Sequence, residues 1–228
     1  MRVLVVGNGG REHAICWKIS QSPMVDKLFC IPGNAGIQNI AECVEFQVDD
    51  IQEITRFAKE KAIDLTVIGP ETPLVLGLAD SLIDEGLRVF GPDKKAARFE
   101  GSKAYSKDFM IKYNIPTAQY GVFNKAEDAL KGLNRFNTPI VVKADGLAAG
   151  KGVLICENRK EAEEAVIDIM TKRQFGDAGD RIVIEEFLTG TEASLLCFVD
   201  GHNIIPMESA RDYKKAYDDD KGLNTGGM

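Results

Sequence analysis

Three short apolar runs, Arg2 to Val6, Lys27 to Ile31 and Leu65 to Ile68, each stop at a turn rich in glycine or proline. Helical spacing fills the gaps between them. Runs that are apolar at nearly every position suit strands buried on both faces, so the pattern predicts a parallel sheet with helices on either side. The helices are expected from Arg11 to about Gln21, around Ile51, Ile54, Phe57, Ala58 and Ala62, and from Pro73 to Glu85, with another strand at Leu87 to Phe90. Ligands of such sheets gather at the carboxyl ends of the strands. Gly7-Asn8-Gly9-Gly10, Pro32-Gly33-Asn34 and Gly69-Pro70-Glu71 all fall there. The first turn is not a dinucleotide fingerprint, because Glu12 stands where G-x-G-x-x-G has its third glycine. A phosphate at the following helix N-terminus needs no complete fingerprint.

A charged helical stretch from Lys94 to Tyr113 ends at Asn114-Ile115-Pro116-Thr117, which marks a boundary. A smaller α/β unit follows from about Ala118 to Leu188. Its expected parts are a helix at Ala126 to Phe136, strands at Ile140 to Ala144 and Val153 to Cys156, a helix at Arg159 to Thr171 and a strand at Arg181 to Ile184. Thr191 to Met228 reads as the start of a further antiparallel sheet, with strands near Ala193 to Val199 and Asn203 to Met207. The expected division is 1–100, a helical linker at 101–117, then 118–190 and 191–228.

Two segments of the second unit carry chemistry. In Lys143-Ala144-Asp145-Gly146-Leu147-Ala148-Ala149-Gly150-Lys151-Gly152-Val153, a lysine ends an apolar strand and a glycine-rich loop follows. Gly146, Gly150 and Gly152 let backbone N–H groups approach oxyanions, while Lys143 and Lys151 offset polyphosphate charge. The loop is not a Walker A: only three residues separate Gly146 from Gly150, and Gly152, not a hydroxyl residue, follows Lys151. The second segment, Glu185-Glu186-Phe187-Leu188 followed by Glu192, leaves a strand through two acids into a turn. Glu186 and Leu188 offer backbone groups to an adenine there, and Glu192 a carboxylate to ribose hydroxyls. Each segment alone also fits a plain hairpin or a solvated acidic edge.

Together these segments resemble the ATP-grasp superfamily. With Gly7-Asn8-Gly9-Gly10-Arg11-Glu12-His13 and Ile68-Gly69-Pro70-Glu71-Thr72-Pro73-Leu74, the chain resembles the glycinamide ribonucleotide synthetases, the phosphoribosylamine–glycine ligases of purine synthesis. The resemblance implies a parallel-sheet pre-ATP-grasp domain, an α/β ATP-grasp flap domain and the start of a further antiparallel sheet. It also implies ATP with Mg2+ (or Mn2+), and glycine and 5-phosphoribosylamine as small-molecule partners. Lys103, Lys143, Gly146, Gly150, Lys151, Gly152, Glu185, Glu186, Phe187, Leu188 and Glu192 are then the expected nucleotide contacts. Without the resemblance Lys103 reads as a lysine on an exposed helix. Gly9, Gly10, Arg11, Glu12, Gly69, Pro70 and Glu71 are expected around phosphoribosylamine, with Asn224, Thr225 and Gly226 at the glycine loop. Asp212 and Lys214 are expected beside the reacting groups. Tyr213 and Lys215 stand where the family pattern has histidine and arginine, and the family's chain continues past Met228, carrying the acidic and amide metal ligands. His13 reads as packed or solvated rather than as a base, His202 as turn surface, and Asp218-Asp219-Asp220 as a solvated loop. Alternatives are an ATP-grasp ligase with another acceptor and a non-catalytic nucleotide-binding fragment.

Composition narrows the class further. A net charge of −7 leaves no basic surplus for a nucleic-acid backbone. No apolar run approaches the roughly 18 residues that span a bilayer, and the first residues open directly into a strand without a targeting segment. Five scattered cysteines without a C-x-x-C pair read as core thiols of a reducing compartment. The cytoplasm is the expected location, and oligomeric state stays open.

Overall fold

A computed structural model describes residues 1–148, 150–211, 215–218 and 221–224 of the chain. They fall into two units, Met1–Phe109 and Met110–Met228.

The first unit is built on β1 (Arg2–Gly7), which is buried at every position after Arg2. Apolar residues on both sides of one strand demand cover on both sides. The helices α1 (Gly10–Ser20) and α2 (Ile51–Glu60) supply part of it. β1 pairs in parallel with β2 (Lys27–Pro32) on one flank and β4 (Leu65–Ile68) on the other. β3 (Glu42–Cys43) and β5 (Val89–Phe90) complete the order β3-β2-β1-β4-β5. Leu4, Val6, Phe29, Ile31 and Ile68 pack with Ile54, Phe57 and Leu82 on one face, where Phe29 and Phe57 meet edge to face at 5.5 Å. Val3, Val5, Leu28, Cys30 and Val67 pack with Cys16 and Ile37 on the other. The parallel sheet with two covered faces is as the sequence pattern predicts.

The expected helix from Pro73 to Glu85 is two helices, α3 (Glu71–Leu76) and α4 (Leu78–Asp84). Gly77 separates them at φ +101°, a left-handed conformation that ends a helix cheaply only at glycine. The stretch from Lys94 likewise divides into α5 (Lys94–Gly101) and α6 (Lys103–Lys112). Ser102 is extended between them, and its Oγ accepts from the Tyr105 N–H at 3.1 Å as an N-cap does.

The second unit holds an antiparallel sheet in the order β6-β9-β7-β8, from β6 (Tyr120–Phe123), β7 (Ile140–Ala144), β8 (Val153–Cys156) and β9 (Ile182–Glu186). Ile140, Val142, Ala144, Ile182 and Ile184 face the core. They pack there with Ala129 of α7 (Ala126–Gly132), Leu133, and Ala162 and Val166 of α8 (Arg159–Val166). The period of two puts Val141 and Lys143 on the opposite face. The expected helix to Thr171 loosens into a π-helical turn at Ile167–Thr171. β6 was not expected, since Gly121 interrupts a strand of only four residues at the sheet edge. β10 (Cys197–Val199) pairs with β11 (Ile204–Pro206), both shorter than expected, and β12 (Lys215–Tyr217) pairs with β13 (Lys221–Asn224). His202 lies in the β10–β11 turn, where Asp200 accepts from the N–H groups of His202 and Asn203. No helix among the described residues is long and apolar enough to cross a membrane.

The five cysteines are free thiols. Cys156 is pushed up to about 11 by burial, and a hydrogen bond with Cys16 followed by burial raises Cys30 well above an ordinary thiol. In a thiol-reagent assay at pH 8, exposed Cys197 should react first, while Cys16, Cys30 and Cys156 wait for unfolding; three fast thiols in the folded chain would contradict this packing. Leu133 is fully buried in the second core. Leu133→Ala should cost about 2–5 kcal/mol in urea unfolding, and a loss below about 1 kcal/mol would mean that the core collapses around the gap.

Candidate functional site

The parallel register of the first unit brings three turns to one rim. Gly7 stands opposite Pro32, and Val6 opposite Ile68. Backbone bonds then stitch the turns together: Gly33 N–H to Gly7 O at 3.2 Å, and Gly69 N–H to Val6 O at 3.0 Å. Asn34 adds a side-chain tie. Its Nδ2 donates to Asn8 O at 2.9 Å while its Oδ1 accepts from Gly36 and Ile37. An asparagine in a turn is all that signals that role in the sequence.

On this rim α1 begins at Gly10, with the Gly10 and Arg11 N–H groups in its first turn, where donors lack intrahelical acceptors. Arg11 is half exposed, its Nε donating to Glu12 Oε1 at 2.8 Å and its Nη2 lying 4.0 Å from Glu71 Oε2. Pro70 caps α3 in an extended conformation, which puts Glu71 at that helix's first position with its carboxylate partly exposed. Glu12 differs from the rest in being buried, with Oε2 accepting from Gly9 N–H at 2.8 Å. His13 is half-buried against Gly36. The arrangement offers N–H groups, one guanidinium and one carboxylate to a small polar ligand.

In the second unit, Lys143 ends the face of β7 that points away from the core. Its Nζ meets Glu185 Oε2 of β9 at 2.9 Å, and Glu185 is only 4% exposed. A lysine at the end of an apolar strand needs such a partner, and the pair is a charge-assisted hydrogen bond in a poorly solvated place.

The glycine loop is rooted at both ends. Arg181 Nε donates to Asp145 Oδ2 at 2.8 Å, Asp145 N–H donates to Arg181 O, and Gly146 N–H donates to Ala178 O. A Cβ on Gly146 would stand 2.9 Å from Ala178 Cα, so only glycine fits that close approach. At the far root Ala144 N–H donates to Gly152 O at 2.8 Å. Between the roots Gly150 takes φ +74° with open space around it, and Lys151 is exposed. Asp145 and Arg181 had no expected role. The signal was an aspartate inside the glycine motif, whose partner is distant in sequence. A cavity of about 310 Å³ opens beside them, lined by Asn124, Asp177 and Asp180 among others.

At the hinge Glu186 N–H donates to Gln119 O at 3.0 Å, and Glu186 Oε1 accepts from Gln119 N–H at 2.8 Å. The first bond takes the Glu186 donor away from an incoming base. Phe187, Leu188 and Glu192 are exposed beyond it. Lys103 is the first residue of α6, in the first unit. Asp212, Lys214, Thr225 and Gly226 lie outside the described residues, as does the side chain of Asn224, whose backbone ends β13.

Two family models match end to end: "Phosphoribosylglycinamide synthetase, N domain" over residues 1–100 and "Phosphoribosylglycinamide synthetase, ATP-grasp (A) domain" over 101–228. The chain is 53% identical to a phosphoribosylamine–glycine ligase of Haemophilus influenzae, across all of this chain and 54% of that protein. Against the corresponding ligase of Caldanaerobacter subterraneus subsp. tengcongensis it is 52% identical, across all of this chain and 55% of that one. The crystal structure of phosphoribosylamine–glycine ligase from Thermotoga maritima superposes with a TM-score of 0.83 at 36% identity, over 100% of this chain and 54% of that one. N5-carboxyaminoimidazole ribonucleotide synthetase from the same organism shares the fold, with a TM-score of 0.70 at 20% identity over 93% of this chain and 53% of that one. The chain thus spans about half the length of the curated relatives it matches. Matched along its whole length by those two domains, it belongs to the phosphoribosylglycinamide synthetase family.

Proposed function

We propose that this chain is the phosphate-holding and nucleotide-holding part of an ATP-dependent ligase that joins glycine to 5-phosphoribosylamine in purine biosynthesis in the cytoplasm. In this reading the glycine carboxylate attacks the γ-phosphorus of ATP, giving glycyl phosphate and ADP. The amine of phosphoribosylamine then attacks the acyl carbon, phosphate leaves with the C–O bond electrons, and the amine nitrogen loses a proton. The protein's task is chiefly to position the reactants and stabilise charge.

The observation that carries the reading is Lys143 beside a glycine loop fixed at both roots, in a chain whose family is that of such ligases. Lys143 would hold ATP phosphate as a fixed charge, the loop from Gly146 to Gly152 would cover it, and Lys151 would follow the loop. Glu185 would keep Lys143 aimed. The segment Glu186 to Leu188 would border the adenine, with the N–H coming from Leu188, and Glu192 would accept from the ribose. Lys103 is proposed as a further phosphate contact. In the first unit the Gly9-Gly10-Arg11 turn would take the phosphate of phosphoribosylamine, and Glu71 on the Gly69-Pro70 turn its hydroxyls or amine. Asp212 and Lys214 are proposed beside the reacting groups, and Asn224, Thr225 and Gly226 at glycine. The domain reading is likewise proposed: substrate binding in 1–100, a helical linker at 101–117, the flap at 118–190 and the start of a second subdomain at 191–228. Among the described residues no group of three or more His, Cys, Asp or Glu side chains is placed to hold a metal ion; the acidic and amide magnesium ligands are proposed to lie in the longer chain of the family.

The reaction is tested by following ADP formation with ATP, magnesium, glycine and freshly generated phosphoribosylamine, omitting each in turn. The same assay is run on this chain and on one extended along its reading frame to the relatives' length. ADP release in the extended chain should need both substrates. Release that is as fast with another acceptor would overturn the assignment. Lys143→Ala should weaken ATP binding by about 10- to 100-fold, the worth of one charge-assisted hydrogen bond, since it also leaves Glu185 facing the phosphates. Lys151→Ala should cost no more than about threefold, as a solvent-screened charge does. Calorimetric titration reads both, and equal small losses would remove the phosphate role from Lys143.

A further inference from the structure

We propose that Glu12 is a positioning residue, whose buried carboxylate holds the turns after β1 and β4 at the spacing that lets the Gly10 and Arg11 N–H groups and the Arg11 guanidinium receive a phosphate. It does so without touching the ligand. The inference rests on the proposed phosphate-holding role of this rim.

Glu12 is 3% exposed, and both its oxygens are engaged within the protein, Oε1 by Arg11 Nε and Oε2 by Gly9 N–H, each at 2.8 Å. A carboxylate so placed has little left to offer a sugar. A buried charge persists only where it is paired and hydrogen-bonded, so the site has been arranged around it.

The glycines define that arrangement. A Cβ built on Gly7 would lie 2.3 Å from Glu12 Cγ, one on Gly69 2.2 Å from Oε1, and one on Gly9 2.9 Å from Oε2. Gly7 has φ +135° and so has a conformational reason to be glycine as well. Gly9, at φ −84°, and Gly69 are not among the positive-φ positions. What glycine supplies at 9 and 69 is room for the Glu12 carboxylate. One side chain therefore fills the space that three side chains on two different turns would otherwise need. The Val6 carbonyl, which accepts from Gly69 N–H, adds a backbone tie between the same turns.

Charge leads to the same assignment. Glu12 is the third residue of α1, where a carboxylate is favoured by the helix dipole but would compete with a phosphate at the same end. Arg11 offsets it, and the Glu12–Arg11 bond also aims the half-exposed guanidinium toward Glu71. The neighbouring residue repeats the device: His13 Cε1 lies 2.4 Å from where a Cβ on Gly36 would be, so the first turn of α1 supports the β2 turn as well.

The test measures binding of inorganic phosphate and of ribose 5-phosphate to the 228-residue chain, followed through the backbone amides of Gly9, Gly10 and Gly69. Glu12→Ala should weaken both ligands by the same factor, about tenfold or more, because the cradle itself is displaced. Gly69→Ala, which forces the carboxylate aside, should do likewise. The double variant should be no weaker than the weaker single one, because the added methyl then enters the space left by the carboxylate. Glu12→Gln keeps the shape and serves where Glu12→Ala does not fold; its amide cannot face both Arg11 Nε and Gly9 N–H as an acceptor, so a loss common to both ligands is again expected. Weakened ribose 5-phosphate with unchanged inorganic phosphate would mean a direct sugar contact and would overturn the proposal. So would unchanged affinity for both, or losses that multiply in the double variant. If the unaltered chain bound neither ligand, the phosphate-holding role of the rim would fall first and this inference with it.

Discussion

The first unit depends on the two-sided burial of β1. Leu4 and Val6 serve one core and Val3 and Val5 the other, and burying each such side chain is worth about 1.5–3 kcal/mol. Because both faces are apolar, a slip of one residue would not expose the strand. It would instead move the turn by about 3.3 Å relative to its neighbours. The observed register, with Gly7 level with Pro32 and Val6 level with Ile68, makes three separate turns one rim. Packing fixes the strand, and the strand fixes where the polar groups meet.

The second unit reaches a polar face by a different route. Its sheet is antiparallel and uses alternation: Ile140, Val142 and Ala144 go to the helices, while Lys143 goes to the other side. The Lys143–Glu185 pair is weak evidence for stability, since desolvation of two charges offsets much of their attraction. Its consequence is orientation. A lysine tethered to a fixed carboxylate has already given up rotamer freedom, so the polyphosphate proposed for this site would meet one oriented cation instead of recruiting a loose one. Asp145 and Arg181 do the same for the backbone, fixing one root of a loop that has open space where a Cβ on Gly150 would stand.

What the sequence disclosed follows from how local each signal is. The strands β1, β2, β4, β7 and β9 were legible because each holds a short, nearly continuous run of three or four apolar residues close to a glycine or proline. Glycine-rich segments marked both rims for the same reason. The division of one helix at Gly77 was visible only as a glycine in a helical pattern, and its left-handed φ decided the outcome. Ser102 was harder, since its Oγ could equally have capped nothing. β6 was missed because Gly121 breaks its four residues, and its antiparallel pairing with β9 joins residues about sixty positions apart. Asp145–Arg181 and Asn34–Asn8 escaped because both are contacts between residues far apart in the chain. Glu12 was noticed as the residue that spoils a dinucleotide fingerprint, but its burial against three glycines is a tertiary fact.

Electrostatics joins the two sites in kind. The chain carries −7 overall, yet its proposed ligands are anions. Net charge acts through solvent and fades within a Debye length of about 8 Å at physiological ionic strength, whereas hydrogen bonds at a rim act at contact distance. In each unit the basic group proposed to meet phosphate already has a carboxylate partner, Glu12 for Arg11 and Glu185 for Lys143. Each carboxylate is buried and each base is more exposed than its partner. The asymmetry has a physical reason. A buried cation would have its ammonium or guanidinium out of reach of any ligand, while a buried anion can hold the base from behind and leave its remaining N–H groups facing outward. The acidic partners therefore do not oppose anion binding so much as determine the direction from which an anion can approach.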